Sequence, residues 1–263
     1  MASSLRRLET VARAGWLARG IVYCLLAYLA FTAAGSSQAS PQGVFQTVRA
    51  SSGGAAILTL LAVGLGFYGV YRLYSAAFDI ESKGDNLKGS AIRTGYAASG
   101  LAHFILAYSA ARLAMDPSEA TDGAQEESAG RMLLDLPLGD AVLSIIGLAF
   151  LAAAAHQMAK AWKTDFVNEL SPSAPFWAKP VGQIGLFARG VVFSVIGFSL
   201  IRAGWFQSAD HVKGLGDALS SLHQHPQIYA FVALGLFMFG IHSVLDALWR
   251  DIRDEDMVDR LRA

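Results

Sequence analysis

Charged residues are scarce in this chain: 16% of its 263 residues are charged, against about 25% in soluble domains, whereas 54% are hydrophobic. No Asp, Glu, Lys, Arg or His occurs between Ile21 and Val48 or between Ala50 and Tyr71. Each helix of a soluble bundle needs a polar stripe that faces water. Uncharged runs of this length therefore exclude a soluble bundle and predict an integral membrane protein.

The chain also has no net charge and a single cysteine. The formal net charge is zero, so the chain has no basic field that would attract nucleic acid. Its one cysteine, Cys24, lies inside the first apolar run and excludes an intrachain disulfide. The histidines His211, His223 and His225 follow no standard zinc spacing. Because no catalytic motif stands out either, we expect a protein that is not an enzyme and that holds no metal or cofactor.

The apolar runs predict six membrane-spanning helices, since about 20 apolar residues cover the roughly 30 Å hydrocarbon core. Their predicted bounds are 15–34, 54–78, 91–113, 138–163, 182–205 and 226–249. The first run is too long for a cleaved signal peptide, so we expect it to remain as the first helix. The polar stretches 35–53 and 114–136 are predicted to be loops or short surface helices.

Lysine and arginine accumulate on one side of these spans. That side holds Arg6, Arg7, Arg13, Lys83, Lys88, Lys160, Lys163, Lys179, Arg250, Arg253, Arg260 and Arg262, and the other side offers Arg49, Arg131 and Lys213. This bias predicts a multi-pass protein of the bacterial inner membrane with both termini in the cytoplasm. The acidic loop 114–136 would face outward, and the tail 251–263 would be a frayed surface helix. Tryptophans near the span ends, among them Trp16, are typical of an interfacial belt.

One short pattern occurs three times, as Gly-Trp-Leu-Ala-Arg-Gly at 15–20, Gly-Tyr-Ala-Ala-Ser-Gly at 95–100 and Gly-Leu-Phe-Ala-Arg-Gly at 185–190. Each copy opens an apolar run, which predicts three tandem two-helix repeats, at about 12–79, 91–165 and 182–250, in a single membrane domain. Such repeats share one orientation, so the expected fold is an all-α six-helix bundle with pseudo-threefold symmetry along the membrane normal.

The second helices of the three repeats can be aligned with one another. The alignment sets Gly69 beside Ala154 and Gly240, Tyr71 beside His156 and His242, and Ser75 beside Lys160 and Asp246. Small residues at the first position would let helix backbones approach closely, as in membrane bundles generally. The polar positions that follow would lie on one shared face.

The Gly-x-x-Ala-Arg-Gly openings at 15–20 and 185–190, each followed by an aromatic residue one turn later, Tyr23 and Phe193, resemble a known family. It is the bacterial membrane-protein family catalogued as domain of unknown function 1206. The resemblance covers about residues 12–250 and implies three tandem copies of a two-helix unit. The middle copy departs from the pattern, with Ser99 in place of the arginine and His103 in place of the aromatic residue. The family has no established activity, so the resemblance implies architecture alone.

Ionisable groups in or near the spans are the candidates for a ligand or ion pathway, because such groups are costly in a membrane. They are Arg19, Arg189, His156, His242, Asp246 and Lys160. Each arginine would either reach lipid headgroups and neighbouring carbonyls or bind an anionic ligand. Asp79 and Asp246 are their expected partners, with Lys160 competing for Asp246. His156 and His242, at equal predicted depth, would be structural, would ligate a haem or metal, or would relay protons.

Three functions fit these residues. The first is a non-enzymatic structural or accessory component of the inner membrane, which binds membrane lipid or another membrane protein through its small-residue faces. The second is a transporter or channel that uses the pseudo-threefold axis. The third is a haem-binding redox protein ligated by His156 and His242.

Overall fold

The computed structural model describes the backbone of residues 2–32, 39–116 and 124–251 and the side chains of residues 9–32, 39–116 and 129–251. Three features of the sequence therefore lie outside the described residues. They are the side chains of Arg6 and Arg7, most side chains of the acidic loop, and the tail beyond Asp251. Within them the chain is all-α, apart from short 3₁₀ turns and one isolated antiparallel bridge between Leu170 and Arg250. Its α-helices are α1 (Ala2–Thr32), α2 (Pro41–Ala50), α3 (Gly54–Phe78), α4 (Leu87–Met115), α5 (Ala124–Leu134), α6 (Gly139–Lys163), α7 (Ala178–Phe206), α8 (Leu215–Leu222) and α9 (Pro226–Trp249).

The six long helices, α1, α3, α4, α6, α7 and α9, follow the predicted spans closely. The bounds of α3 and α9 agree with the prediction, whereas α1 begins well before residue 15. Its extra turns are supported by a salt bridge between two residues one helical turn apart, from Arg13 Nη2 to Glu9 Oε1 at 3.0 Å. Asn86 caps α4 by accepting the Gly89 N–H at 2.8 Å. The short helices α2 and α5 lie in the stretches predicted as loops or surface helices.

Five of the long helices are long and apolar enough to cross a membrane: α1 from Glu9, α3, α6, α7 and α9. The remaining long helix, α4, has 29 residues but falls outside this group by composition. It carries Arg93, His103 and Arg112 among many small residues. The helices therefore indicate a multi-pass membrane protein.

Successive repeats pack against one another at the aligned small residues, α3 against α4, α6 against α7, and α9 against α1. At each of the three contacts, a Cβ atom added to a glycine would lie close to a backbone oxygen of the facing helix. The distance is 3.1 Å from Gly69 to Gly100 O, 3.2 Å from Gly190 to Ala154 O and 3.0 Å from Gly240 to Gly20 O. The absence of side chains at these positions is what lets the backbones approach. This part of the alignment is confirmed.

Within repeats one and three, the two helices of the repeat also pack together. A Cβ on Gly15 would lie 2.6 Å from the Tyr68 backbone, and one on Gly185 would lie 2.6 Å from the Phe239 backbone. In repeat two, Gly95 occupies the same position and a Cβ there would have nothing within 4 Å. The helices α4 and α6 do not pack extensively against each other in the described part of the chain. A threefold arrangement needs the two helices of every repeat to pack together. In the described part of the chain, repeats one and three make these contacts extensively and repeat two does not.

We call the exposed surface of α4 at Gly95, Ala98 and Ala102 the repeat-two face; the equivalent position on α6, Ala149, is exposed as well. The equivalent residues of the other repeats are buried, namely Gly15, Ala18, Val22 and Gly64 in repeat one and Gly185, Ala188, Val192 and Gly235 in repeat three. Over its membrane-length window, α6 has 17% of its residues buried, against 50–56% in the other four apolar helices, so it lies at the edge of the molecule.

Candidate functional site

Most of the ionisable side chains that the structure buries meet at one end of the molecule, which we call the basic end. There α3, α6 and α9 finish, while α4 and α7 begin. The turn after α3 brings Glu81, and the 3₁₀ helix Asp165–Glu169 after α6 brings Glu169. The basic-end network comprises Arg19, Arg72, Glu81, Lys83, Lys160, Glu169, Asp246 and Arg250.

Arg19 occupies the deepest part of this network, where α1 meets α9. The close approach of Gly20 to Gly240 places Arg19 within reach of the last turns of α9. Its Nε donates to Ser243 Oγ at 3.1 Å, its Nη2 lies 3.3 Å from Asp246 Oδ2, and its Nη1 donates to the Tyr68 hydroxyl. With 4% of its surface exposed, the guanidinium is fully engaged inside the protein.

Glu81 joins the three repeats through its two carboxylate oxygens. Its Oε1 accepts from Arg72 Nη1 at 3.0 Å and from the Tyr71 hydroxyl at 3.2 Å. Its Oε2 accepts from the Tyr96 hydroxyl of α4 at 2.7 Å and lies 3.3 Å from Arg250 Nη2, at the end of α9. A residue of a connecting turn thus becomes a buried acceptor that ties α3, α4 and α9 together.

Arg250 is the cation shared by all three acids. Its guanidinium lies 2.9 Å from Glu169, 3.3 Å from Glu81 and 3.5 Å from Asp246. Backbone hydrogen bonds hold this part of the chain against the turn after α6, from Ser171 N to Trp249 O at 2.7 Å and from Asp251 N to Glu169 O at 3.0 Å. The end of α9 is therefore fastened to the other repeats by both main chain and side chains.

Positive charge exceeds negative charge in the network, with five cationic side chains and three carboxylates. Burial alone would raise the pKa of Glu81, but Arg250, Arg72 and Lys160 outweigh it and hold that pKa well below the ordinary value. The pKa of Glu169 is likewise lowered, because Arg250 and Lys160 outweigh the effect of burial. Both carboxylates therefore remain ionised at neutral pH and neutralise the surrounding cations.

The structure brings three of the predicted site residues together. Asp246 pairs with Arg19, as expected, and its Oδ2 also lies 3.9 Å from His242 Nε2. The expectation that Lys160 competes for Asp246 is wrong, because Lys160 Nζ donates to Glu169 at 2.8 and 3.0 Å. Asp79 does not serve the arginines either, since its carboxylate accepts the backbone N–H groups of the turn that follows it, at 2.7 and 2.8 Å.

The other two predicted residues, Arg189 and His156, form no ion pair with a described residue, although Arg189 shares the Phe239 ring with Arg19. The Arg189 guanidinium stacks over aromatic rings, 4.5 Å from the centroid of Phe193 and 4.8 Å from that of Phe239. His156 is exposed on α6, whereas His242 is buried with its ring centroid 5.1 Å from that of Phe166. The two histidines therefore occupy different environments, although they hold the same position in their repeats.

Sequence reasoning missed five of the eight network residues, namely Arg72, Glu81, Lys83, Glu169 and Arg250. Arg72 was identifiable, because it directly follows the uncharged run that ends at Tyr71 and lies inside α3. The two glutamates lie in connecting turns, which usually face water. Trp16 was also misplaced: it is 0% exposed, edge-on to Tyr71 at 5.0 Å, and Arg250 lies 5.2 Å from its ring centroid.

These features define an all-α, internally repeated protein with several apolar helices of membrane length and a buried ion-pair network at one end. The chain belongs to the family described as Domain of Unknown Function (DUF1206), whose model matches residues 14–79, 94–164 and 184–250. The three matches confirm the tandem repeats. The chain is also 29% identical over 248 residues, 90% of each chain, to "Uncharacterized protein YxxB" of Bacillus subtilis (strain 168). No solved structure matches the chain.

Proposed function

We propose that the protein is a non-enzymatic accessory component of the bacterial inner membrane that binds a transmembrane helix of another membrane protein at the repeat-two face. In this proposal all six long helices span the membrane around a pseudo-threefold axis, and both termini are cytoplasmic. The observation that carries the proposal is the exposure of Gly95, Ala98, Ala102 and Ala149, whose counterparts in the other two repeats are buried against a helix.

The helix contacts within repeats one and three indicate what would occupy the repeat-two face. At Gly15 and Gly185 the missing side chain admits the backbone of a neighbouring helix, to within 2.6 Å of where a Cβ would lie. Repeat two keeps the glycine and places alanine at Ala98, as repeats one and three do at Ala18 and Ala188. Small residues in this spacing favour helix backbones, which can approach more closely than the acyl chains of lipid. A partner helix therefore fits the surface better than a lipid does.

The basic-end network supports an accessory role over an axial pathway. Arg19 and Asp246, which were candidates for lining such a pathway, bond to each other and have 4% and 3% of their surface exposed. Ion pairs of this kind connect the repeats and stabilise the bundle, and breaking one of them is costly. We therefore assign the network to holding the three repeats in place.

Photocrosslinking in the native membrane tests the proposal. A photoreactive amino acid is placed at Ala98 in the repeat-two face and, as a matched control, at Leu60, which is 73% exposed on α3 outside that face. We expect a discrete heavier species from position 98 and none from position 60. A second variant, Gly95→Leu, should abolish the crosslink while the melting temperature of the purified protein stays unchanged, because nothing in the protein lies within 4 Å of the new Cβ.

Other outcomes would contradict the proposal. A species of twice the molecular mass would show that a second copy of the chain covers the face. Crosslinks to lipid alone would identify lipid as the occupant. Equal crosslinking at positions 60 and 98, or a crosslink that survives Gly95→Leu, would show that the face has no particular partner.

A further inference from the structure

A second group of basic side chains lies near the C-terminal end of α7, whereas the basic-end network lies where α7 begins. There a cavity of about 280 Å³ is bordered by Arg202, His211 and Lys213. None of the described residues that line it is acidic. Neither Arg202 nor Lys213 forms a salt bridge with a described residue, whereas nearby Asp210 pairs with Arg131 at 3.3 Å. Among the described residues, the basic side chains that border this cavity therefore have no acidic partner.

The segment that carries His211 and Lys213 is bound to α7 through its backbone. Ser199, which is 5% exposed, accepts the backbone N–H of Lys213 at 3.3 Å and donates to Ile196 O at 2.8 Å, so the segment after α7 is bound to the helix. The ring of Phe206 contacts two of the bordering side chains, its centroid 5.8 Å from the Arg202 guanidinium and 5.5 Å from the centroid of the His211 ring.

The depth and the apolar part of the cavity indicate which anion fits. Arg202 lies four residues before the end of α7, about 6 Å along the helix axis, which is the level of lipid headgroups in a spanning helix. Val195 and the exposed Phe198 border the cavity towards the middle of the helix. An anion with an attached hydrocarbon chain can contact both parts at once. Arginine and lysine are the side chains that most often bind phosphate oxygens.

We propose that this cavity binds the phosphate of an anionic phospholipid of the outer leaflet, with Arg202 and Lys213 on the phosphate and Val195 and Phe198 along the acyl chain. The site goes beyond the proposed partner-helix function and does not depend on that partner, whereas its assignment to the outer leaflet rests on the proposed orientation. The position is not a general requirement of the repeat, because repeat one has Thr32 where repeat three has Arg202. In repeat two the equivalent Arg112 donates to the Tyr108 hydroxyl at 2.8 Å instead.

Native mass spectrometry of the full-length protein tests the site by titration with phosphatidylglycerol, with phosphatidylcholine of the same acyl chains, and with inorganic phosphate. We expect phosphatidylglycerol to bind most tightly, and Arg202→Gln and Lys213→Gln each to weaken that binding about tenfold, since each removes one charge-assisted contact. Arg112→Gln, at the same position one repeat earlier, should bind like the wild type, and Lys213→Arg should retain most of the affinity.

The remaining outcomes separate the sources of the phosphate and decide the proposal. Inorganic phosphate that binds as tightly, with the same dependence on Arg202 and Lys213, would retain the site and make free phosphate its ligand. Equal binding of phosphatidylcholine, or phosphatidylglycerol affinity unchanged in both glutamine variants, would overturn the proposal. Because Arg202 is exposed, its variant should keep the wild-type melting temperature, so weaker binding would not reflect unfolding.

Discussion

At the scale of single residues, Asp246 is the carboxylate on which the deepest cation depends. It faces Arg19 at 3.3 Å and Arg250 at 3.5 Å and is 3% exposed. Replacing it with asparagine keeps the shape but removes the counter-charge, and an uncompensated buried charge costs about 3–5 kcal/mol. We expect Asp246→Asn to lower the melting temperature of the purified protein in detergent clearly, as followed by tryptophan fluorescence.

An exposed ion pair supplies the control for this variant. Asp85 pairs with Arg93 at 2.6 Å, but its side chain is 93% exposed, and exposed pairs contribute little to stability. Asp85→Asn should therefore leave the melting temperature nearly unchanged. If Asp246→Asn is as mild as Asp85→Asn, then Asp246 does not neutralise Arg19.

The two glutamates of the network make stability depend on pH. The pKa of Glu81 and that of Glu169 are lowered in the folded protein, so the unfolded chain binds more protons at acid pH. Their contribution is complete above the ordinary glutamate value of 4.5 and is lost as the pH falls below it. The melting temperature should thus decrease steadily on acidification below about pH 4.5, and less steeply in Glu81→Gln. A melting temperature that stays constant down to pH 3 would contradict this prediction.

How far sequence could predict these residues depended on where each one lies. Arg19 and Asp246 stood out because charges are rare in apolar runs, and their pairing follows from the equal depth of the two positions. Glu81 and Glu169 could not be identified in the same way. They join the network because the turns after α3 and α6 fold back over the basic end, and those contacts join residues far apart in the chain, such as Leu170 and Arg250.

At the scale of helices, the first glycines of the three repeats offer a matched set of variants. Gly15→Ala and Gly185→Ala place a Cβ 2.6 Å from the backbone of the facing helix, which forces the pair apart. Such overpacking typically costs about 1–3 kcal/mol. Gly95→Ala meets nothing within 4 Å and should be neutral or slightly stabilising, since alanine favours helix more than glycine does. Melting temperatures in detergent measure all three, and a loss in Gly95→Ala equal to that in Gly15→Ala would show that repeat two is packed.

The bounds of the helices were largely predictable, and the packing of repeat two was not. Apolar runs end where Asp79 and Arg250 begin the polar connections, which is why the predicted ends of α3 and α9 agree with the structure. Repeat two carries the same glycine and alanine, Gly95 and Ala98, as the repeats that do pack. The glycine and alanine alone therefore do not distinguish it. The facing helix differs, with alanine at Ala153 where repeats one and three have Tyr68 and Phe239, whose ring centroids lie 4.6 Å from the Arg19 guanidinium and 4.8 Å from the Arg189 guanidinium.

At the scale of the whole molecule, the number of membrane crossings decides whether the two termini lie on the same side. That number depends on whether α4 crosses. Five helices qualify as spans by composition, and α4 does not. Yet α4 packs antiparallel to α3 along its length: a Cβ on Gly100 would touch Leu73 and the Gly69 oxygen, and one on Gly69 would touch Phe104. In the proposed arrangement α4 crosses the same hydrocarbon layer as its neighbour α3. Six crossings would then leave both termini on one side.

Cysteine labelling in intact cells tests the orientation, since Cys24 is the one native cysteine and can be removed as Cys24→Ala. Single cysteines are introduced as Ser82→Cys before α4 and Leu136→Cys after it, the latter at a position that is 52% exposed. With α4 across the membrane and the basic end in the cytoplasm, a maleimide that cannot pass the inner membrane should label position 136 and leave position 82 unlabelled until the cells are lysed. Labelling of both positions, or of neither, would show that α4 does not cross. Labelling of position 82 alone would reverse the orientation, and the cavity at Arg202 would then face the inner leaflet.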